Sequence, residues 1–318
     1  MSRHAVSLPE ILGLRPLGPA LRQSWGAIVG DGYAPPSRWG PSALRMLIPS
    51  MALPLWRGRV RPDGKTEVFN LPNRVPGPPG EGYSVRRTYA RDFRGQKLTY
   101  DSHDGTDFAL VQGTELVATA PGTVIDVRSD MQRGGAKVVL DHGAGLMTVS
   151  GHVARALVEP GAVVARGDVI ALSGMSGVDG VLFSPWLPPH IHLAVMLNGA
   201  PVDPWAAPGE ISLWRRHNDP VPYDLDPGAE EPTLEPTRWS EDAVAETIAS
   251  CRDPALKRRL LSIPDLALRG PMTALERRTH RFRFGLERQL TEETYPRRAV
   301  FDLPVAASDH VGAVFADD

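Results

Sequence analysis

A single cysteine, Cys251, among 318 residues rules out an internal disulfide framework and any cysteine-based zinc cluster. Its spacing after Val244 and Ile248 gives it the place of a small buried hydrophobe on a helix. The chain also lacks an excess of either charge. Its 35 Lys and Arg nearly balance 37 Asp and Glu, for a formal net charge of -2. No global field therefore draws it to nucleic acid or to an anionic membrane, and neither is expected as a partner. No run approaches the roughly 20 apolar residues of a membrane span. The nearest candidate, Met46 to Trp56, is short and interrupted by Pro49 and Pro54. Met1 to Pro9 lacks the basic stretch and continuous apolar core of a secretory signal.

Glycine and proline are abundant, 31 of each, while 42% hydrophobic and 23% charged residues are ordinary for a globular chain. Many turns, short strands and a few long loops follow. The length suits one large or two modest domains with a sizeable core.

The chemistry concentrates between Tyr100 and Trp205. Ser102-His103-Asp104-Gly105-Thr106-Asp107 holds a His-x3-Asp pair interrupted by glycine, which makes a turn of it and not a helical i,i+4 pair. Gly151-His152 follows a strand-like run from Leu146 to Val149. Pro189-His190-Ile191-His192-Leu193-Ala194-Val195 reads as a strand, so His190 and His192 share one face while Ile191 and Leu193 share the other. Two imidazoles and one carboxylate suit a catalytic zinc, which keeps a further position open for water. Two further imidazoles remain for acid-base work. His142, in an Asp-His-Gly turn, is read as structural, and His280 and His310 receive no role.

At these residues the sequence resembles the lysostaphin/LytM-type zinc metallopeptidases, which share the duplicated hybrid motif β fold. The matching pieces are His103-x3-Asp107, Asp141 to Gly145, Gly151-His152, Val158 to Gly161, Val164 to Ile170, Gly174 to Gly177, Pro189 to His192 and Asn198 to Pro204. They run in the family's order across about a third of the chain. The resemblance implies one Zn2+ per chain, held by His103, Asp107 and His192, with His152 and His190 as the catalytic pair. It implies a zinc metalloendopeptidase acting on peptide bonds in peptidoglycan stem or cross-link peptides, in the cell envelope or outside the cell. The alternative is a non-catalytic module on the same scaffold that binds and regulates a cell-wall-related partner; degenerate relatives of that kind usually lack ligand residues, and here all five positions are intact. Three departures stand out. Ser150 replaces an aromatic two residues before His152, Leu193-Ala194 stands where a glutamate commonly follows, and an apolar insert, Val181 to Pro188, precedes His190. The insert places Phe183 and Trp186 as candidate walls of the substrate groove.

The expected architecture is mainly β, an antiparallel sandwich or barrel-like peptidase core over residues 83–210. Residues 1–82 form an irregular arm rich in proline and tryptophan packed on the core, with a boundary at Pro76 to Gly80. Residues 211–318 form an acidic linker and a small helical region. In that region Ser240 and Asp253 are N-caps, and a third helix follows Gly270-Pro271, with Met272, Leu275, Thr279, Phe282, Leu286 and Leu290 on one face. Its Arg277, Arg278, Arg281 and Arg288 decorate other, solvated faces.

Overall fold

A computed structural model describes residues 4–75, 81–225, 232–308 and 310–318. The expected boundary at Pro76 to Gly80 and the acid-rich residues 226–231 lie outside them. The strands are β1 (Lys65–Asn70), β2 (Thr106–Ala109), β3 (Glu115–Val117), β4 (Gly122–Asp130), β5 (Gly135–Gly143), β6 (Leu146–Gly151), β7 (Val153–Ala156), β8 (Val163–Val164), β9 (Val169–Ser173), β10 (His190–Leu197), β11 (Ala200–Val202) and β12 (Gly312–Phe315). The helices are α1 (Leu8–Ile11), α2 (Leu17–Val29), α3 (Pro49–Trp56), α4 (Val178–Phe183), α5 (Glu241–Ala249), α6 (Pro254–Leu261) and α7 (Leu266–Thr279).

The main sheet runs β12-β1-β2-β10-β6-β5-β4-β8, with β11 also paired to β10, and a smaller sheet runs β3-β9-β7. The main sheet is open and does not close into a barrel. It is also mixed: β1 and β12 pair in parallel, against the antiparallel expectation. Strands β4 and β5 form a hairpin, ending in the pair Asp130 and Gly135.

Strand β10 is buried along its whole length, and its alternation decides what each face meets. Ile191, Leu193, Val195 and Leu197 enter the core between the two sheets, with Phe108, Val124, Leu140, Leu116 and Ile170. Ala194 and Met196, on the other face, pack with Val139, Met147 and Val149 against the helical region, including Val244, Ile248, Leu260 and Leu275. Toward the β2 side a third cluster joins Ile11, Met46, Met51, Leu55 and Phe69 to Ala109, Val111, Met175 and Leu187. One face of the sheet is thus covered by N-terminal residues at one end and C-terminal helices at the other.

The helical caps follow the sequence. Ser240 Oγ accepts from the Ala243 amide, and Asp253 accepts from the Ala255 and Leu256 amides ahead of Pro254 at the first helical position. Helix α7 corrects the expectation: it starts four residues before Gly270, capped by Asp265, and ends at Thr279. Gly270 lies inside because Trp239 packs on it; a Cβ there would come within 2.4 Å of the indole. Phe282, Leu286 and Leu290 lie beyond the helix end, so they form no stripe with Met272. The N-terminal segment is less irregular than expected, since it holds α2 and α3. Cys251 is buried just past α5, and His142 joins the Pro121 carbonyl and the Thr148 hydroxyl, each at 2.8 Å. Among the described residues, no helix is long and apolar enough to cross a membrane.

Candidate metal centre

The sheet register brings the histidines and aspartates to one place. His192 on β10 pairs with Asp107 on β2 and with Gly151 on β6, the residue before His152. These residues fall on the sheet face between the N-terminal cluster and the C-terminal helices. Gly105 is demanded by proximity: a Cβ there would lie 2.6 Å from His192 Nε2 and 2.7 Å from the Leu193 carbonyl oxygen.

Three donor atoms converge. His103 Nε2 lies 3.1 Å from His192 Nδ1 and 3.0 Å from Asp107 Oδ2, and His192 Nδ1 lies 2.9 Å from Asp107 Oδ1. The outer atoms of each group are engaged elsewhere. His103 Nδ1 donates to the Leu71 carbonyl at 2.8 Å, His192 Nε2 donates to Asp104 Oδ1 at 3.1 Å, and Asp107 Oδ2 accepts from Asn70 Nδ2 at 3.0 Å. With those protons facing outward, His103 Nε2, His192 Nδ1 and the Asp107 carboxylate present lone pairs to one another, and only a cation reconciles them. A proton on His192 is one such cation: burial opposes its charge, but the Asp104 and Asp107 carboxylates outweigh burial and raise its pKa. A divalent ion is the other. Tetrahedral zinc with bonds of about 2.0 Å separates its ligands by about 3.3 Å, close to the spacing here. His103, Asp107 and His192 are all buried and form a group that could hold a metal ion. The outer Leu71 carbonyl and Asp104 carboxylate are the kind of partner that orients a ligating histidine, and the Asn70 amide the kind that orients a ligating carboxylate.

His152 and His190 stand beside this trio. Their rings are 4.6 Å apart, and His152 is 6.0 Å from the His192 ring, centroid to centroid. His152 Nδ1 donates to the Ser176 carbonyl at 2.5 Å and His190 Nδ1 to the Pro188 carbonyl at 2.7 Å. In both rings the bare lone pair is therefore on Nε2. Burial lowers both pKa values, reinforced at His152 by the neighbouring His190 and His192, so both are neutral at pH 7. His152 adopts a left-handed backbone, φ 58°, the kind of conformation that collects at functional sites.

Four polar neighbours, Asp104, Arg133, Lys137 and Arg278, had no place at the site in the sequence reading. Asp104 accepts from Arg278 Nη2 at 2.8 Å on the same oxygen that His192 meets, and Arg133 Nη2 lies 3.5 Å from its other oxygen. Burial alone would raise the Asp104 carboxyl, but Arg278, His192 and Arg133 hold it well below the usual carboxylate range. Arg278 is therefore not solvated: its side chain is 7% exposed and reaches into the site from the end of α7. Lys137, with its pKa lowered by burial to about 8, lines a cavity of about 60 Å³ with His103, Asp104, His152, His192 and Arg278. Phe183 and Trp186 line neither this cavity nor the larger one beside it. Phe183 packs against Trp39, centroids 5.5 Å apart, and the Trp186 carbonyl accepts from the Ile48 amide. Phe183 thus meets an N-terminal ring, whereas the Trp186 side chain is 47% exposed and only its backbone joins the N-terminal segment.

Residues 101–204 match the model of peptidase family M23. Over 102 residues the chain is 38% identical to an uncharacterized metalloprotease of Haemophilus influenzae, covering 32% of this chain and 20% of that protein. It is 37% identical to the peptidoglycan DD-endopeptidase ShyA of Vibrio cholerae, covering 32% of this chain and 22% of that one. The chain thus spans about a fifth of the length of these curated relatives. Among solved structures it is similar to the catalytic domain of the antimicrobial peptidase lysostaphin from Staphylococcus simulans, at 23% identity and a TM-score of 0.30, covering 42% of this chain and 85% of that one.

Proposed function

We propose that this chain is a zinc metalloendopeptidase that hydrolyses peptide bonds in peptidoglycan stem or cross-link peptides. The observation that carries the reading is the lone-pair trio of His103, Asp107 and His192, 2.9 to 3.1 Å apart, with two neutral imidazoles beside it. The match to peptidase family M23 over residues 101–204 supports hydrolysis of a peptide bond, and the relative named a peptidoglycan DD-endopeptidase supports the substrate class.

Bound at the trio, zinc supplies a Lewis acid that lowers the pKa of water toward about 7 and polarises a carbonyl. The histidines outside the trio move the protons. With Nδ1 tied to a carbonyl, His152 or His190 takes a proton from the attacking water at Nε2 and, once charged, returns it to the leaving amine. The other ring steadies charge on the substrate oxygen, and the two roles belong to the pair jointly. Asp104 fixes the orientation of His192, and Asn70 that of Asp107.

The test is metal analysis of the purified chain beside His103→Ala and His190→Ala, followed by peptidoglycan digestion with mass analysis of the products. About one zinc per chain, lost in His103→Ala and kept in His190→Ala, with new free amines from the unmodified chain alone, is the expected result. Absence of bound metal would sink the reading and favour a binding module on the same scaffold.

A further inference from the structure

The larger cavity beside the trio, about 570 Å³, shares His103, Asp104, Arg133 and Arg278 with the smaller one. Five arginines line it against three carboxylates. Two of those carboxylates are engaged. Asp104 is held by Arg278 and His192, and Asp101 accepts from the Ser84 hydroxyl at 3.0 Å and the Tyr89 amide at 2.9 Å. Glu287 lies near Arg277 and Arg281 and, among the described residues, forms an ion pair with neither.

Arg277 and Arg281 donate only to main-chain carbonyls among the described residues. Arg277 reaches Gly199 at 2.9 Å and Arg288 at 2.5 Å, and Arg281 reaches Glu81 at 3.3 Å. The Arg281 guanidinium lies over the Tyr83 and Phe282 rings, 5.5 and 4.7 Å from their centroids, which fixes its plane at the cavity wall. Desolvation lowers the pKa of both arginines, and the nearby Glu287 offsets it only in part, while Arg281 stays open to solvent. A bound anion would offset that cost. A planar guanidinium fork matches a carboxylate in two parallel hydrogen bonds, and the volume is that of a small-molecule site.

We propose that the C-terminal helical region adds an anion subsite to the cleft, in which Arg281 and Arg277 bind a free carboxylate of the peptide substrate. The proposal rests on the peptidase reading above and narrows it to peptides that carry a carboxylate close to the scissile bond, because the cavity wall includes His103 of the trio.

The test separates binding from turnover. The zinc-loaded full chain carrying His190→Ala is titrated calorimetrically with a cross-linked peptidoglycan stem dimer and with the same dimer after its carboxylates are converted to methylamides. The free-acid form is expected to bind at least about tenfold more tightly. Arg281→Gln is expected to bring that ratio close to one, and Arg281→Lys to recover part of it. Equal affinity for the two forms, binding of neither, or a ratio that Arg281→Gln leaves unmoved overturns the proposal. Hydrolysis by the unmodified chain decides the broader reading separately. Cleavage without a preference for the acid sinks the subsite alone, whereas an acid preference in binding without any cleavage keeps the subsite and sinks the peptidase assignment.

Discussion

Replacing Arg278 with alanine tests whether a residue of the C-terminal helices holds the metal centre in shape. Its Nη2 lies 2.8 Å from Asp104 Oδ1, the oxygen that also accepts from His192 Nε2 at 3.1 Å. The Arg278 side chain is 7% exposed and that of Asp104 is 21% exposed, so the pair is largely shielded from water. Breaking a fully buried pair costs about 3–5 kcal/mol. Asp104 keeps His192 and the longer contact to Arg133, which reduces the expected loss of stability to about 2 kcal/mol. The larger effect is on the metal. Freed from Arg278, the Asp104 carboxylate no longer fixes the His192 ring with Nδ1 facing the trio, and outer partners of this kind change metal affinity about 10- to 100-fold. Competition with a chromophoric chelator measures zinc affinity directly, and urea unfolding of the metal-free protein measures the stability term. Arg278→Lys keeps the charge but not the planar fork, and should fall between the alanine variant and the original. Zinc affinity in Arg278→Ala within about twofold of the unmodified chain would refute the reasoning, the threshold being well below the loss set by outer-partner effects.

Gly105→Ala introduces a Cβ 2.6 Å from His192 Nε2; overpacking of this kind costs about 1–3 kcal/mol, and bound zinc should fall with it, so a variant that retains full zinc content would contradict the close approach. His142 carries a pH-dependent stability term that an exposed histidine with an unshifted pKa lacks. Burial depresses its pKa from 6.5 to about 4, so the native state keeps it neutral; that contribution is complete above pH 6.5 and is lost as the pH falls toward 4, up to about 3 kcal/mol. Urea midpoints of the unmodified chain and of His142→Gln, measured from pH 7.5 to pH 4.5, should converge on acidification, and parallel curves would dismiss the assignment. Phe183→Ala should lower stability by about 1–3 kcal/mol through lost packing against Trp39. The rank order of cleavage across a peptide panel should stay the same, and a reordered panel would return Phe183 to the substrate groove.

The parts of the site that were legible in the sequence are those fixed by local geometry. Strand alternation puts His190 and His192 on one face whatever the strand pairs with, and a capping serine or aspartate starts a helix wherever it lies. What was hidden depends on which distant surfaces meet. Arg278 belongs to a run of basic residues whose helical spacing reads as a solvated face, and Asp104 lies 174 positions away from it in the chain. Nothing in either segment encodes their encounter. The helices α2 and α3 were obscured by proline and glycine. Pro19 occupies the first turn of α2 and Pro49 the first position of α3, where a missing amide proton costs no intrahelical bond, but Pro54 lies inside α3 and Gly18 and Gly26 weaken the pattern of α2. The partner of the apolar insert was hidden for a related reason: hydrophobicity marks Phe183 for packing, but does not say that Trp39 meets it.

The segment that matches a peptidase family does not complete the candidate metal centre by itself. Within residues 101–204 lie the three candidate metal ligands and the two neutral imidazoles. Most of the groups that orient them come from outside. Strand β1 precedes that segment and pairs with β2. With the residue that follows it, β1 supplies the Asn70 amide to Asp107, the Leu71 carbonyl to His103, and the Phe69 ring edge against His190, centroids 5.1 Å apart. Helix α7 follows the segment and supplies Arg278 to Asp104. An imidazole's tautomer is set by what its far nitrogen meets, so the lone pair that His103 turns toward the trio is dictated by a residue outside the matched segment. The same sheet face that exposes the trio is flanked by the N-terminal cluster and by the C-terminal helices, and both act on the site through these few polar contacts. The flanks therefore orient the candidate ligands as well as cover them, and the arginines that α7 and the turn after it bring to the larger cavity place the proposed anion subsite on the same flank.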